Sequence, residues 1–514
     1  MLKRWPLILA SIASGLILLL CVSRPAQSAS ISLAPPFPMS VPTALTQENS
    51  PVVQGESPST SAFGPNLFDQ FTSTFITHTV YLPLIGNCYS GENSPSFGVQ
   101  LDIIYNGDVI QRLSELGAKT VRTTMDWAEI EPTLTDPPTY NWTTYDEKFS
   151  AFSQAGLAPI VIIGENPSWA APTVCGPLTD TMYIKFAEFL TEAVNRYKNP
   201  PYNVKYWEIY NEPDDTWYDP ARAAEVFPAG LGHGCWGYYG GEYAYMLSWA
   251  YPAIKAADPE AKVLLGGLAY DWFTDQGGPF YRYFIDDVLN NGGGNYFDYM
   301  NFHYFPPFHA YWNVYGKDII GKTNYLRNKL AWYGVDKPFV VTETAERGHP
   351  DDSASMENQA SYVVKVYTRG MAAGLKFITW WALIGAFRDE DLLYDDFTPK
   401  PAYYAYQVAA RELDGWFYLG ELSTKDPNVV YISDPNSIEG YIFATSACST
   451  RKKMVLWSES GVPGMVTFYA SSQIRVSGKY GGSSSAAEEK VDSQENIQIT
   501  VQVTSEPIYV EIIP

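Results

Sequence analysis

The chain has 514 residues and a formal net charge of −22, from 56 acidic against 34 basic side chains. Such a surface repels phosphate backbones and anionic membranes, which argues against nucleic acid as a partner. The length exceeds what one compact core needs, so a large domain with a smaller companion is expected. Aromatic residues at 15%, with charged ones at only 18%, suit a neutral, hydroxyl-rich ligand as well as a large core.

The N-terminus carries Lys3 and Arg4, then an apolar run from Leu7 to Val22, then Arg24-Pro25-Ala26-Gln27-Ser28-Ala29. This is the layout of a signal peptide over 1–29, cleaved after Ser28 or Ala29, and it implies a secreted or extracellular protein. Membrane attachment is expected only if the leader stays uncleaved. Four cysteines remain without it: Cys88, Cys175, Cys235 and Cys448. Residues 30–95 are rich in Pro, Ser, Thr and Gln and read as a linker.

From Ser96 onward, short apolar runs alternate with helical patterns. The runs are Phe97 to Ile104, Lys119 to Met125, Leu157 to Ile163, Val204 to Tyr210, Lys262 to Gly267, Phe297 to Phe302, Phe339 to Thr342 and Phe377 to Ala382. Between the third and fourth, Phe186, Phe189, Leu190, Ala193 and Tyr197 recur at the spacing of one helix face. Eight strand-then-helix units predict an α/β fold, a (β/α)8 TIM barrel over 96–415, with its site at the C-terminal ends of the strands. After Gly415 period-two segments replace helices, so 416–514 reads as a small all-β sandwich, with Gly481 to Glu489 a flexible loop.

Two of the strands end in carboxylates. Tyr206-Trp207-Glu208-Ile209-Tyr210-Asn211-Glu212-Pro213 is an apolar run stopped by a proline that has no N–H for the ladder, which leaves Glu212 at the rim. Phe339-Val340-Val341-Thr342-Glu343 repeats the logic. Cleavage of a glycosidic bond needs one carboxylic acid to protonate the leaving oxygen and one carboxylate across the sugar, and Glu212 and Glu343 are the natural pair. Taken singly, each is equally well a surface glutamate at a strand end. Glu208, within the strand, is expected to be structural, and Glu346, past the strand end, to be ion-paired or solvated.

These residues resemble the retaining glycoside hydrolases of clan A, in particular families 39, 5 and 30. The resemblance covers 97–413. In that clan an Asn-Glu-Pro ends strand four and a glutamate ends strand seven, which makes Glu212 the acid/base and Glu343 the nucleophile, with Asn211 beside the acid. Arg122 matches the clan's arginine bracing the nucleophile. Trp127, Glu131-Pro132, Tyr140, Trp142 and Asp146 are similar to its series after strand two. Asn166-Pro167-Ser168-Trp169 is similar to its Pro-x-Trp element, and Trp380-Trp381 to the strand-eight end where a tryptophan floors the sugar. Strand six departs from the pattern: it reads His303-Tyr304-Phe305, where the clan has His-x-Tyr with the tyrosine on the nucleophile. Either Tyr304 takes that role or the nucleophile is held differently. The resemblance implies a carbohydrate substrate and binding roles for Arg122, Trp127, Asn166, Trp169, Asn211, His303, Tyr304 and Trp381.

Gly316-Lys317-Asp318-Ile319-Ile320-Gly321-Lys322-Thr323 matches the P-loop string, but no buried strand precedes it, so no nucleotide is expected. Five scattered histidines without HExxH or CxxC argue against a metal site, and no cofactor is expected. The alternative is a carbohydrate-binding barrel without turnover. Two further expectations concern the rim. Trp169, Trp217, Trp236 and Trp381 are candidate sugar platforms, and Cys175 and Cys235, each beside a glycine in the loops after strands three and four, are expected to pair.

Overall fold

Eight of the apolar runs form parallel strands: β1 (Ser96–Gln100), β2 (Thr120–Asp126), β3 (Ala158–Gly164), β4 (Tyr206–Asn211), β5 (Lys262–Gly267), β6 (Met300–Tyr304), β7 (Phe339–Thr344) and β8 (Phe377–Trp380). The computed structural model describes residues 96–103, 107–216, 235–385, 389–446, 448–470, 473–483, 487–491 and 497–513. The expected leader and linker, Cys88 and Trp217 lie outside the described residues. The strands run side by side in the order β5-β4-β3-β2-β1-β8-β7-β6. Two parallel bridges, Leu264 to Tyr299 and Leu268 to Phe302, join the ends and close the sheet into a barrel.

The helices α1 (Gly107–Glu115), α2 (Trp127–Ile130), α3 (Thr143–Gln154), α4 (Met182–Tyr197), α5 (Gly240–Ala257), α6 (Phe284–Asn290), α7 (Asp318–Trp332), α8 (Ser353–Ala372) and α9 (Pro401–Leu413) lie between or after the strands. On α4 the periodic set Phe186, Phe189, Leu190, Ala193 and Tyr197 is buried. Burying each such large side chain contributes about 1.5–3 kcal/mol, and this face of the helix is thereby fixed against the sheet. Inside the barrel, Ile160, Leu264, Val340 and Phe377 form an apolar layer with Tyr206 and Tyr299 packed against it. The polar site residues stand further along the same strands. No helix among the described residues is long and apolar enough to cross a membrane.

Residues 417–513 form two antiparallel sheets. One has the order β10 (Val429–Ile432), β13 (Gly464–Ala470), β16 (Ile497–Val503), β15 (Ala487–Val491). The other has β14 (Gln473–Gly478), β17 (Ile508–Ile513), β12 (Lys452–Ser458), β11 (Ile438–Ala444), β9 (Phe417–Glu421). Val429, Ile442, Leu456, Phe468, Val501 and Val510 fill the space between them, as in a β-sandwich. The structure corrects one expectation here. Within the presumed flexible loop, Ala487–Val491 is a strand whose five residues pair with β16. Its Ala-Glu-Glu-Lys-Val sequence has no apolar alternation because it is an edge, where charge is favoured and pairing comes from the backbone.

The sandwich shares a core with the barrel. Tyr441, Phe443, Val455, Trp457 and Tyr509 belong to the same apolar cluster as the barrel helices. Arg369 of α8 donates to both oxygens of Glu439 on β11, at 2.8 and 3.0 Å, and to Asp318 of α7 at 2.6 Å.

Candidate active site

Arg122 on β2 is the hub. It is wholly buried, and each of its five N–H groups has an acceptor. Nε and Nη2 donate to the two oxygens of Glu208, both at 2.8 Å. Nη1 donates to Glu343 at 2.5 Å and to Gln100 at 2.6 Å, and Nη2 also donates to Asn211 at 2.6 Å. Glu208 is therefore structural, as expected, and it fixes the guanidinium fork that holds Glu343 and Asn211. A lysine could not make this fork.

Two irregularities in the sheet bring these groups to one point. Tyr210 has φ 62°, and the β4–β5 register passes from Ile209–Leu265 to Asn211–Gly267. No residue is added there; the left-handed backbone of Tyr210 breaks the alternation. Tyr210 turns outward to Phe186 and Trp236, and Asn211 takes the inward position. Glu212 follows with φ 40°; its N–H still donates to Gly267 O at 3.0 Å before Pro213 stops the ladder. On β7 the register against β6 shifts between Phe302–Val341 and His303–Glu343, so Thr342 and Glu343 both reach the polar centre. Gly267 completes the fit, because a Cβ there would stand 2.2 Å from His303 Nε2.

His303 connects the two carboxyls. Its Nδ1 lies 3.0 Å from Glu212 Oε1 and 3.5 Å from Glu343 Oε2, and its Nε2 lies 3.2 Å from Thr342 Oγ1. The Thr342 hydroxyl also faces Glu208 at 3.2 Å and Asn301 at 3.0 Å. Its one proton favours those acceptors, since Glu208 accepts from Arg122 at both oxygens and offers no proton of its own to share, so Thr342 accepts the proton of His303 Nε2. Nδ1 is then a lone pair, and the proton on the Nδ1–Glu212 contact belongs to Glu212. Burial, with Arg122 and Lys322 adding to it, pushes the His303 pKa well below its ordinary value and keeps the ring neutral.

Burial also raises Glu212 well above the carboxylate range, and the negative charges of Glu343, Asp214, Asp215 and Asp271 add to it. Burial pushes Glu343 up to about 7, opposed by Arg122. The two carboxyls thus differ in kind. Glu343 touches a cation and ionises first, whereas Glu212 faces a neutral imidazole and further acids and keeps its proton. One oxygen of each and a His303 nitrogen lie within 4.8 Å of one another, a spacing that three metal ligands could also adopt. The Arg122 guanidinium already supplies the positive charge there and would repel a metal cation.

Several expected site residues lie elsewhere. Trp127 has no exposed surface and packs on Phe189 and Phe186. Trp236 is likewise fully buried, against Tyr210 and Tyr243, which leaves no face for a sugar. Asn166 donates to the carbonyls of Thr173 and Gly176 and accepts from Tyr210, so it fixes a loop. Trp169 is half-buried edge-on to Trp127 and donates to Glu131 O. Tyr304 does not replace the clan's tyrosine: it alternates outward from His303, and burial with Asp318 and Tyr362 nearby raises its pKa. Phe305 stands at the rim instead, its ring 6.2 Å from that of Trp381 and perpendicular to it. Among the described residues Glu343 Oε2 has no hydrogen-bond partner. Trp381 is 3% exposed, as covered as Glu212 at 4% and Glu343 at 2%. Glu346 is half-buried and accepts from the Arg347 N–H.

Sequence reasoning missed Gln100, Asn301, Thr342 and Gly267 as parts of this network. Only Gly266-Gly267 carried a signal, as glycines ending a strand where side chains approach closely. Cys175 and Cys235 are joined by a disulfide, as expected. Lys322 of the P-loop string is fully buried and donates to Ala269 O and, at 3.4 Å, to Asp271.

A (β/α)8 barrel with strand-end carboxyls defines a glycoside hydrolase of the clan to which the sequence is similar, and the comparisons agree. Residues 90–383 match the family Cellulase (glycosyl hydrolase family 5), and the chain belongs to that family. No curated protein matches it. Among solved structures it is similar to a family 39 glycoside hydrolase from the gut symbiont Bacteroides cellulosilyticus WH2, at 18% identity and TM-score 0.61 over 82% of this chain and 81% of that one. It is also similar to a glucosidase from Croceicoccus marinus, at 14% identity and TM-score 0.55 over 83% and 96%. A GH30 endoxylanase from Clostridium papyrosolvens C71 matches at 13% identity and TM-score 0.53, over 82% and 96%. At these identities the likeness is one of fold.

Proposed function

We propose that this glycoside hydrolase is secreted and cleaves neutral oligo- or polysaccharides with retention of configuration, Glu212 acting as acid/base and Glu343 as nucleophile. One observation carries the reading: two strand-end carboxyls share one small polar centre, in which Glu343 is paired with the Arg122 guanidinium. One oxygen of Glu212 and one of Glu343 lie within 4.8 Å of each other; retaining pairs stand about 5–5.5 Å apart, which leaves no room for a water between them and favours direct attack by Glu343. Its Oε2, free of hydrogen bonds among the described residues, is the oxygen that reaches the anomeric carbon. Glu212 protonates the leaving oxygen. Once Glu343 is esterified its charge is gone, the pKa of Glu212 falls, and the same group accepts a proton from the incoming water.

Arg122 and Asn211 orient the pair, His303 Nδ1 accepts the Glu212 proton at rest and so positions that carboxyl, and Trp381 borders the sugar. The acids around Glu212 favour an uncharged substrate. Cellulose, xylan and aryl glucosides, the substrates suggested by the names of the family and the similar structures, head the panel to screen. Secretion rests on the N-terminal leader and is supported by the Cys175–Cys235 disulfide, a bond of oxidising compartments.

The test compares Glu212→Ala with Glu343→Ala on an aryl glycoside whose leaving group needs no proton. The first step should survive in Glu212→Ala as a burst of aryl alcohol and vanish in Glu343→Ala. Equal, complete loss in both would refute the division of roles.

A further inference from the structure

The geometry points to a second carbohydrate site, outside the cleft, formed by the first turns of α4 and α5. It rests on the proposed function for its ligand class. A surface pocket of about 520 Å³ is lined by Asp180, Tyr183, Gly241, Glu242, Tyr245 and Asn291. Tyr245 is 52% and Trp249 36% exposed, whereas Met246, Ala250 and Ile254 on the same helix are buried. Glu242, Tyr245 and Trp249 follow at steps of three and four, so they share the outward face.

The rings are held in place. Tyr245 stands edge-to-face on Tyr183 at 5.0 Å and 74°, and Trp249 lies 6.4 Å beyond it at 80°. Two rings near a right angle make a corner in which one presents a face and the other an edge. Preorganised aromatic surface of this kind costs little entropy to use. The polar groups around it are mostly acceptors, the Asp180 and Glu242 carboxylates and Asn291 Oδ1, with one N–H of Asn291 Nδ2 left after its bond to Asp287 O and the Tyr183 and Tyr245 hydroxyls as donors. Gly241 keeps the corner open, because a Cβ there would stand 3.1 Å from Asn291 Nδ2.

Flat apolar rings ringed by hydrogen-bond acceptors fit a neutral, hydroxyl-rich glycan. Two carboxylates with no cation lining the pocket repel anionic sugars. The helices' first turns follow the C-terminal ends of β3 and β4, so the pocket shares the barrel end that carries Glu212 and Glu343. A polymer held there would be kept beside the cleft without touching the reacting groups.

Affinity gel electrophoresis in hydroxyethyl cellulose, xylan or β-1,3-glucan tests this. The parent is Glu343→Gln, which leaves the polymer intact. Both rings offer a stacking face, so Tyr245→Ala/Trp249→Ala in that parent should weaken retention about tenfold in at least one gel. In the otherwise unmodified enzyme the same double variant should keep its kcat on a short aryl glycoside, which also certifies folding, and lose several-fold on the polymer. Asp180→Ala/Glu242→Ala, at exposed positions, provides a second variant that spares the packing and should also weaken retention. Retention unchanged by both double variants, or absent from every gel, would overturn the site. Ring-dependent retention in a protein that hydrolyses nothing would leave the site standing and remove the proposed activity instead.

Discussion

Glu212 and Glu343 are like groups made unlike by their neighbours. The proposed mechanism needs Glu343 ionised and Glu212 protonated, so kcat/KM should rise through the first ionisation of the pair and fall through the second, a bell whose limbs belong to the pair. Asp214 is one of the charges that raise Glu212. Asp214→Asn should therefore move the alkaline limb to lower pH, and an unmoved limb would remove Asp214 from the electrostatic account. Arg122→Lys should lower kcat/KM by more than about 100-fold, because the fork that holds Glu343 is worth several kcal/mol in a buried site. Steady-state kinetics with a melting curve separates that effect from unfolding. At this scale the sequence disclosed much: Arg122, Asn211, Glu212, His303 and Glu343 were all legible, as ends of apolar runs and through the clan's pattern. Thr342, Asn301 and Gln100 were not, since a lone threonine or amide in a strand has no signature until its partners are known. Trp127 and Trp236 were misplaced because the sequence shows that a ring is flat and large, not which neighbours cover it.

The elements were legible to within a few residues wherever an apolar run is long, because a strand buried on both faces has little alternative. The left-handed turn at Tyr210 and the β6–β7 register shift were hidden, yet they decide the site: without the turn at Tyr210, Asn211 would face outward. β15 was missed for the opposite reason, being a charged edge held by backbone pairing alone. The Cys175–Cys235 bond spans 60 positions, linking the segments after β3 and β4, and constrains the unfolded chain accordingly. Cys175→Ser/Cys235→Ser should cost about 2–4 kcal/mol of stability by denaturant titration, and peptide mapping of the oxidised protein should find the pair linked.

On the scale of the whole molecule, barrel and sandwich share one apolar core and the buried Arg369–Glu439 pair. A chain ending at 415 would expose that face and leave Arg369 without Glu439, so it should be insoluble or melt far below the full-length protein. Arg369→Ala alone should cost about 3–5 kcal/mol, since it removes the guanidinium shared by Glu439, Asp318 and Glu459 at the seam. The buried carboxyls act in common as well. Asp214 and Glu343 are raised to about 7 and Asp271 to about 6, all mainly by burial, whereas unfolded carboxyls ionise near 4. Between those values the folded state binds more protons than the unfolded one, so stability should fall as pH rises from about 4 to 7. A Tm that rises over that interval would contradict these assignments. The fold and the pairing of the carboxyls were legible in the chain, but the proximity that selects a mechanism is a property of the closed barrel. Proton NMR of the first sugar released from a glycoside of known configuration tests it most directly. Double displacement through Glu343 predicts that the anomer of the substrate appears first and mutarotates afterwards, and the opposite anomer appearing first would contradict it.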